Sequence, residues 1–227
     1  MEWERNEQLE IDLLQEMSDE DEDNTRTHPS ATDLIYCLTK TYRDAHSPIP
    51  RGRNTQVMFL TGLGLERKLL NARRQVKHVE IEGRGGISFH PDSFTDDVIL
   101  GEDRLIELKT TRMWTNSKSR GEFSPETCPE GWHKQAKSYA YMLGVKKVSF
   151  VVIFLVQGEL RSWDVEYTDD ELAEHWAWMR MRKRAWDIAE ETEQVPESFK
   201  WNAEWECGEG KGDMQCRYLM WCKTRSL

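Results

Sequence analysis

Residues 86–112 read GISFHPDSFTDDVILGEDRLIELKTTR, and this stretch decides the fold. Across 104–110 the side chains alternate with the period of two of a strand. Leu105, Glu107 and Lys109 therefore project to one side, and Ile106 and Leu108 to the other. A second short strand is expected over 87–94, with Asp92 two residues beyond His90, and Gly101-Glu102-Asp103 supplies turn chemistry between the two runs. Folded as a hairpin, the stretch brings Asp92 and Glu107 together beside an ammonium. Asp96 or Asp97 in place of Asp92 would give a shorter hairpin. Two hard oxygen donors at one point suit Mg²⁺ or Mn²⁺, and a neighbouring lysine can orient an attacking water.

Pro91-Asp92 followed by Glu107-Leu108-Lys109 resembles the PD-(D/E)XK nuclease signature. Charges at the end of a hairpin are more often a solvated face, so the weight of this reading depends on the rest of the chain.

Taken alone, the net charge of −10 opposes a nucleic-acid partner, but residues 1–24 hold 11 acids and one Arg and carry that whole excess. The remaining 30 basic and 30 acidic residues cancel. The body is neutral, and its Lys and Arg clusters can face a polyanion while its acids face elsewhere. No secretory apolar region precedes a small-residue cleavage site, and the longest apolar run, 150–156, is of buried-strand length, so a cytoplasmic protein without a membrane span is expected. In that compartment five cysteines are metal ligands or thiols rather than disulfides.

Residues 1–26 form an acidic tail that opens with Leu9, Leu13 and Met17 on one helical stripe. It reads as a mobile solubilising segment, or as one that docks a partner or mimics DNA. Residues 27–227 are expected to form a single domain. Ser30 with Asp33 caps a helix running through Leu34, Ile35, Cys37 and Leu38 to about Tyr42; a loop covers 46–54, and a helix with a basic side covers 56–77. A strand starts at Val79, and the polar stretch 115–129 reads as a mobile loop over the site. A helix at 132–143, strands at 148–156 and 160–167 and a long helix at 169–191 complete an α/β fold: a mixed central sheet with flanking helices.

Gln135 and Tyr139 lie four apart on one helical face, just before an apolar strand. By spacing alone they are rim and core of an ordinary amphipathic helix, but Q-A-K-S-Y after E-L-K resembles the Q-x-x-x-Y motif of RecB-like nucleases. In that branch a G-x-x-x-H helix precedes the sheet and its histidine completes the metal shell. Here the string Gly62-Leu63-Gly64-Leu65-Glu66 ends in a carboxylate, which suits a hard cation equally well; a surface Glu paired with a nearby base is the alternative. Near the end of the chain Cys207, Cys216 and Cys222 are spaced C-x₈-C-x₅-C, and Cys37 lies on the first helix.

This ordered set resembles the Cas-four-type, CRISPR-associated iron–sulfur exonucleases, or their stand-alone viral and archaeal relatives, over residues 30–222. The resemblance implies a PD-(D/E)XK, restriction-endonuclease-like core. It implies an ion held by Asp92, Glu107, the Leu108 carbonyl and Glu66, with Lys109, Gln135 and Tyr139 lining the site. It further implies a 4Fe–4S cluster on Cys37, Cys207, Cys216 and Cys222, the segment 196–227 being stapled to the N-terminal part. The family spacing has a C-x-x-C pair where eight residues intervene here, so Cys207 matches least well, and zinc is the alternative metal. Cys128 matches nothing. The implied activity is trimming of single-stranded DNA ends, with a CRISPR integrase or a helicase or recombination protein as partner. Basic helix faces at Arg73 and Arg74 and at Arg180 and Arg184 are candidate DNA tracks. A reading from another class is a DNA-end-binding adaptor that does not cleave.

Overall fold

Ser30 opens the first helix as expected. Its hydroxyl accepts from the Asp33 amide while the Asp33 carboxylate accepts from the Ser30 amide, a reciprocal capping box. The expected single helix is two, α1 (Ala31–Ile35) and α2 (Leu38–His46), broken at Tyr36, whose backbone is extended. The break has a visible cause. The carbonyls of Leu34 and Tyr36 accept from the Arg182 guanidinium, and that of Asp33 accepts from Thr41 Oγ1. Cys37 becomes the N-cap residue of α2.

The computed structural model describes residues 28–49, 53–70, 77–80, 86–89, 93–97, 102–113, 115–117, 121–196 and 216–225, with Gln8, Asp12 and Cys207. Helix α3 (Arg53–Leu70) begins inside the expected loop, and Lys77, expected to close it, belongs to β1 (Lys77–Glu80). The run 87–94 is not one strand. Its first half is β2 (Gly86–Phe89), paired antiparallel with β1; β3 (Ser93–Asp97) instead pairs antiparallel with β4 (Glu102–Thr111).

The main sheet has the order β3-β4-β7-β8, with β7 (Lys147–Phe154) parallel to β4 and β8 (Glu159–Glu166) antiparallel to β7. It is a mixed sheet flanked by helices, as the alternation of elements implied. On one face Leu105, Val148, Phe150, Val152 and Phe154 are buried in a core shared with α1, α2, β2, α4 (Glu130–Leu143) and α5 (Asp169–Thr192). α5 starts from a second capping box, Thr168 with Glu171. The stretch expected as a mobile loop contains the small hairpin β5–β6 (Asn116–Ser117 and Gly121–Glu122) and a 3₁₀ turn at Pro125–Thr127. Phe123 anchors it: the ring is buried and meets Phe154 edge-on at 5.2 Å.

The segment after Cys216 packs on α2. Arg43 stacks over Trp221 at 4.4 Å and Tyr218 at 5.3 Å; Arg217 pairs with Asp44 at 2.5 Å; and the Tyr218 hydroxyl accepts from the Ile49 amide. Tyr218 and Leu219 are buried, the latter opening α6 (Leu219–Arg225). Among the described residues no helix is long and apolar enough to cross a membrane.

Candidate active site

Strand β4 presents Glu107 and Lys109 on one face, as the alternation requires, and Lys109 Nζ lies 2.6 Å from Glu107 Oε2. The Glu107 side chain is fully buried and that of Lys109 is 11% exposed. A carboxylate removed from water keeps its charge only beside a compensating cation, and the ammonium two residues on supplies it. Behind the pair, Glu107 and Lys109 register with Phe150 and Val152 of β7. Leu108 alternates away and is buried.

Helix α4 lies against β4 and β7. It carries the other expected pair: Gln135 Nε2 donates to Tyr139 Oη at 3.1 Å. Tyr139 is buried and meets Phe89 edge-on, so it is a core ring with its hydroxyl held by Gln135. On α3, a Cβ at Gly62 would come within 3.3 Å of Thr110 Oγ1, so this glycine allows the helix to approach the strand at the residue after Lys109. Glu66 follows one helical turn later; its side chain, like Asp92 as a whole, lies outside the described residues. The register of β3 sets Asp96 opposite Asp103 and Asp97 opposite Glu102. Four residues of strand separate Asp103 from Glu107, about 13 Å. Ser93, the residue after Asp92, registers with Ile106, the residue before Glu107.

Three residues that spacing did not single out are linked to this part of the sheet, Cys128 and Tyr167 through the charges of Lys109 and Glu107 and His133 through Phe150. The Cys128 thiol is pushed up to about 11 by burial, with Glu126 adding to the rise and the Lys109 charge opposing it. Cys128 is therefore within electrostatic reach of Lys109. Tyr167 is buried, and burial raises its hydroxyl, with Cys128 and Glu107 contributing. His133 joins these parts: its Nε2 is 2.8 Å from the Pro125 carbonyl oxygen, to which it donates, and its Nδ1 is 2.6 Å from Tyr167 Oη. Its ring packs edge-on to Phe150, the register partner of Glu107. No sequence signal could have found this group, because its members come from the 3₁₀ turn, α4 and the segment after β8.

All five cysteines are thiols rather than disulfides. Cys207 and Cys216 are joined through backbone, the Cys216 amide donating to the Cys207 carbonyl at 2.8 Å, and Cys222 lies in α6. Cys37 begins α2, the helix on which this terminal segment packs. The donors suit a soft metal, and a buried carboxylate beside an ammonium suits a hard one. Among the described residues, however, no group of three or more His, Cys, Asp or Glu is arranged to hold an ion.

In fold, the chain is similar to a protein of known crystal structure, SSO0001. The match has a TM-score of 0.56 and 17% identity and covers 94% of this chain and 96% of that one. An alkaline exonuclease, LHK-Exo from Laribacter hongkongensis, superposes with a TM-score of 0.44 and 14% identity over 73% of this chain and 90% of its own. Only the first bears on the fold. No protein-family model and no curated protein sequence matches the chain.

Proposed function

We propose that the protein is a Mg²⁺- or Mn²⁺-dependent deoxyribonuclease of the RecB-like type that trims single-stranded DNA from an end. The observation that carries this reading is the buried Glu107 carboxylate with Lys109 Nζ at 2.6 Å, on one strand face beneath the helix bearing Gln135 and Tyr139. A structural ion pair is usually exposed. One with its carboxylate fully buried on a central strand is costly and is retained where its charges have work to do.

In this reading Asp92, Glu107, the Leu108 carbonyl and Glu66 hold the divalent ion, which supplies charge neutralisation at the scissile phosphate. Lys109 fixes the ionised state of Glu107 and positions the attacking water. Gln135, held to Tyr139, orients the phosphate side of the site. Cys37, Cys207, Cys216 and Cys222 hold a 4Fe–4S cluster, in keeping with the packing of the terminal segment on the helix that Cys37 opens. The proposed setting is the cytoplasm, and the proposed partner a CRISPR integrase or a helicase or recombination protein.

End-labelled single-stranded DNA incubated with the full chain tests the proposal. Cleavage in Mg²⁺ or Mn²⁺ is expected, with none in EDTA and none with Glu107→Gln. A well-folded wild type that binds DNA ends but leaves them intact in both ions would replace the nuclease by the adaptor.

A further inference from the structure

One imidazole fastens an exposed turn to the buried frame behind the Glu107–Lys109 pair. His133, in the first turn of α4, donates from Nε2 to the Pro125 carbonyl at 2.8 Å, and its Nδ1 stands 2.6 Å from Tyr167 Oη. It thus ties the 3₁₀ turn Pro125–Thr127 to the residue just before the α5 capping box.

The two ends of this tie differ. Tyr167 is a fixed post: its side chain is buried, its amide donates to the Lys146 carbonyl at 3.0 Å, and Lys137 Nζ lies over its ring at 5.2 Å. The turn is exposed at Glu126 and Thr127. Its internal bonds, from the Ser124 amide to Thr127 Oγ1 and from the Thr127 amide to the Ser124 carbonyl, close it on itself. The bond to His133 is the one that fastens it sideways.

Two routes lead from the tie to the ion pair. The His133 ring meets Phe150 edge-on at 5.5 Å, and Phe150 is the register partner of Glu107. The turn also runs directly into Cys128, which is half-buried against the core and feels the charge of Lys109.

We propose that His133 is a positioning residue for the Glu107–Lys109 pair, strapping the turn 125–128 to Tyr167 so that Cys128 walls the flank of Lys109 from water. The inference rests on the nuclease reading of that pair. Lys109 is 11% exposed, and water admitted beside it would weaken the attraction that keeps Glu107 ionised and Lys109 aimed. The strap acts through protein groups and need not touch DNA, so its loss should appear in kcat rather than in KM.

Cleavage of end-labelled single-stranded DNA, measured beside alkylation of Cys128 by iodoacetamide on the full chain, tests this. Alkylation is followed on the Cys128 peptide by mass spectrometry, apart from the other thiols. His133→Leu keeps bulk and loses both polar contacts. Its kcat should fall about tenfold with KM unchanged, and Cys128 should be alkylated about tenfold faster. Tyr167→Phe removes one oxygen and keeps the ring, so it stands in if His133→Leu fails to fold, and it should move both quantities in the same direction. The double variant should be no worse than His133→Leu, because both changes break one contact. His133→Gln, whose amide offers one donor and one acceptor, should recover most of both. Wild-type alkylation rates in His133→Leu and Tyr167→Phe, or additive effects in the double variant, would overturn the proposal. Faster alkylation with unchanged kcat in a chain that cleaves DNA would overturn it alone, whereas a folded wild type that leaves DNA intact would overturn it together with the nuclease reading.

Discussion

Lys109 Nζ stands 2.6 Å from Oε2 of a Glu107 side chain that has no solvent exposure. The pair is adjacent in strand period and buried together, so each charge depends on the other.

Removing one partner should therefore cost both stability and chemistry. Lys109→Ala is expected to lower unfolding free energy by about 3–5 kcal/mol at neutral pH, the usual penalty for a buried charge left alone. Turnover should fall by about 100-fold or more. The double variant Glu107→Gln/Lys109→Met should regain most of the stability and none of the activity. Denaturant titration beside a nuclease assay measures both. Wild-type turnover by Lys109→Ala would remove the pair from the active site.

The two glycines of α3 should respond in opposite ways. Gly64 has open space where a Cβ would stand, so Gly64→Ala should stabilise the helix by about 1 kcal/mol through propensity alone. A Cβ at Gly62 already meets Thr110 Oγ1 at 3.3 Å, and Gly62→Val adds methyls to that contact. It should push α3 away from β4, costing about 1–3 kcal/mol and reducing activity at temperatures where the variant remains folded. Equal melting temperatures for the two variants would contradict the close approach.

His175 should give the fold a pH dependence of its own. It is buried against Ser138, with its Nε2 2.8 Å from Ser138 Oγ. Burial first, and then the charges of Lys137 and Lys134, hold it down at about 4, against an ordinary value of 6.5. The unfolded chain thus binds the extra proton between those values. The stability contribution is complete above about pH 6.5, falls as the pH drops, and is exhausted below about 4. The total is on the order of 3 kcal/mol. Urea unfolding from pH 7.5 to 4 should show that loss, and His175→Gln should flatten the part of the slope that falls between pH 6.5 and 4.

The terminal segment should remain in place without a metal. Side-chain packing holds it: Tyr218 is buried and Arg43 stacks on both Tyr218 and Trp221. Cys37→Ser and Cys222→Ser should lose the broad absorption near about 400 nm of a thiolate-ligated iron–sulfur centre while 216–225 stays protected from exchange. Arg43→Ala should expose 216–225 to protease with the thiols intact. A colourless wild type, purified anaerobically with stoichiometric zinc, would overturn the iron–sulfur assignment and leave the nuclease proposal untouched.

Strand period alone placed Glu107 beside Lys109, and helix period placed Gln135 beside Tyr139, because both relationships are fixed by backbone geometry within a few residues. The Ser30–Asp33 cap was legible for the same reason. Tertiary structure alone decided the rest. Residues 86–89 and 93–97 separate into different sheets because each finds a different partner strand. The first helix breaks at Tyr36 because a guanidinium 146 residues away takes its carbonyl. Phe123 pins a polar loop because Phe154 offers a buried face. His133 and Tyr167 meet 34 residues apart, at the end of two antiparallel strands. Such contacts depend on which distant surfaces can be buried together, a global condition of packing that no local spacing encodes.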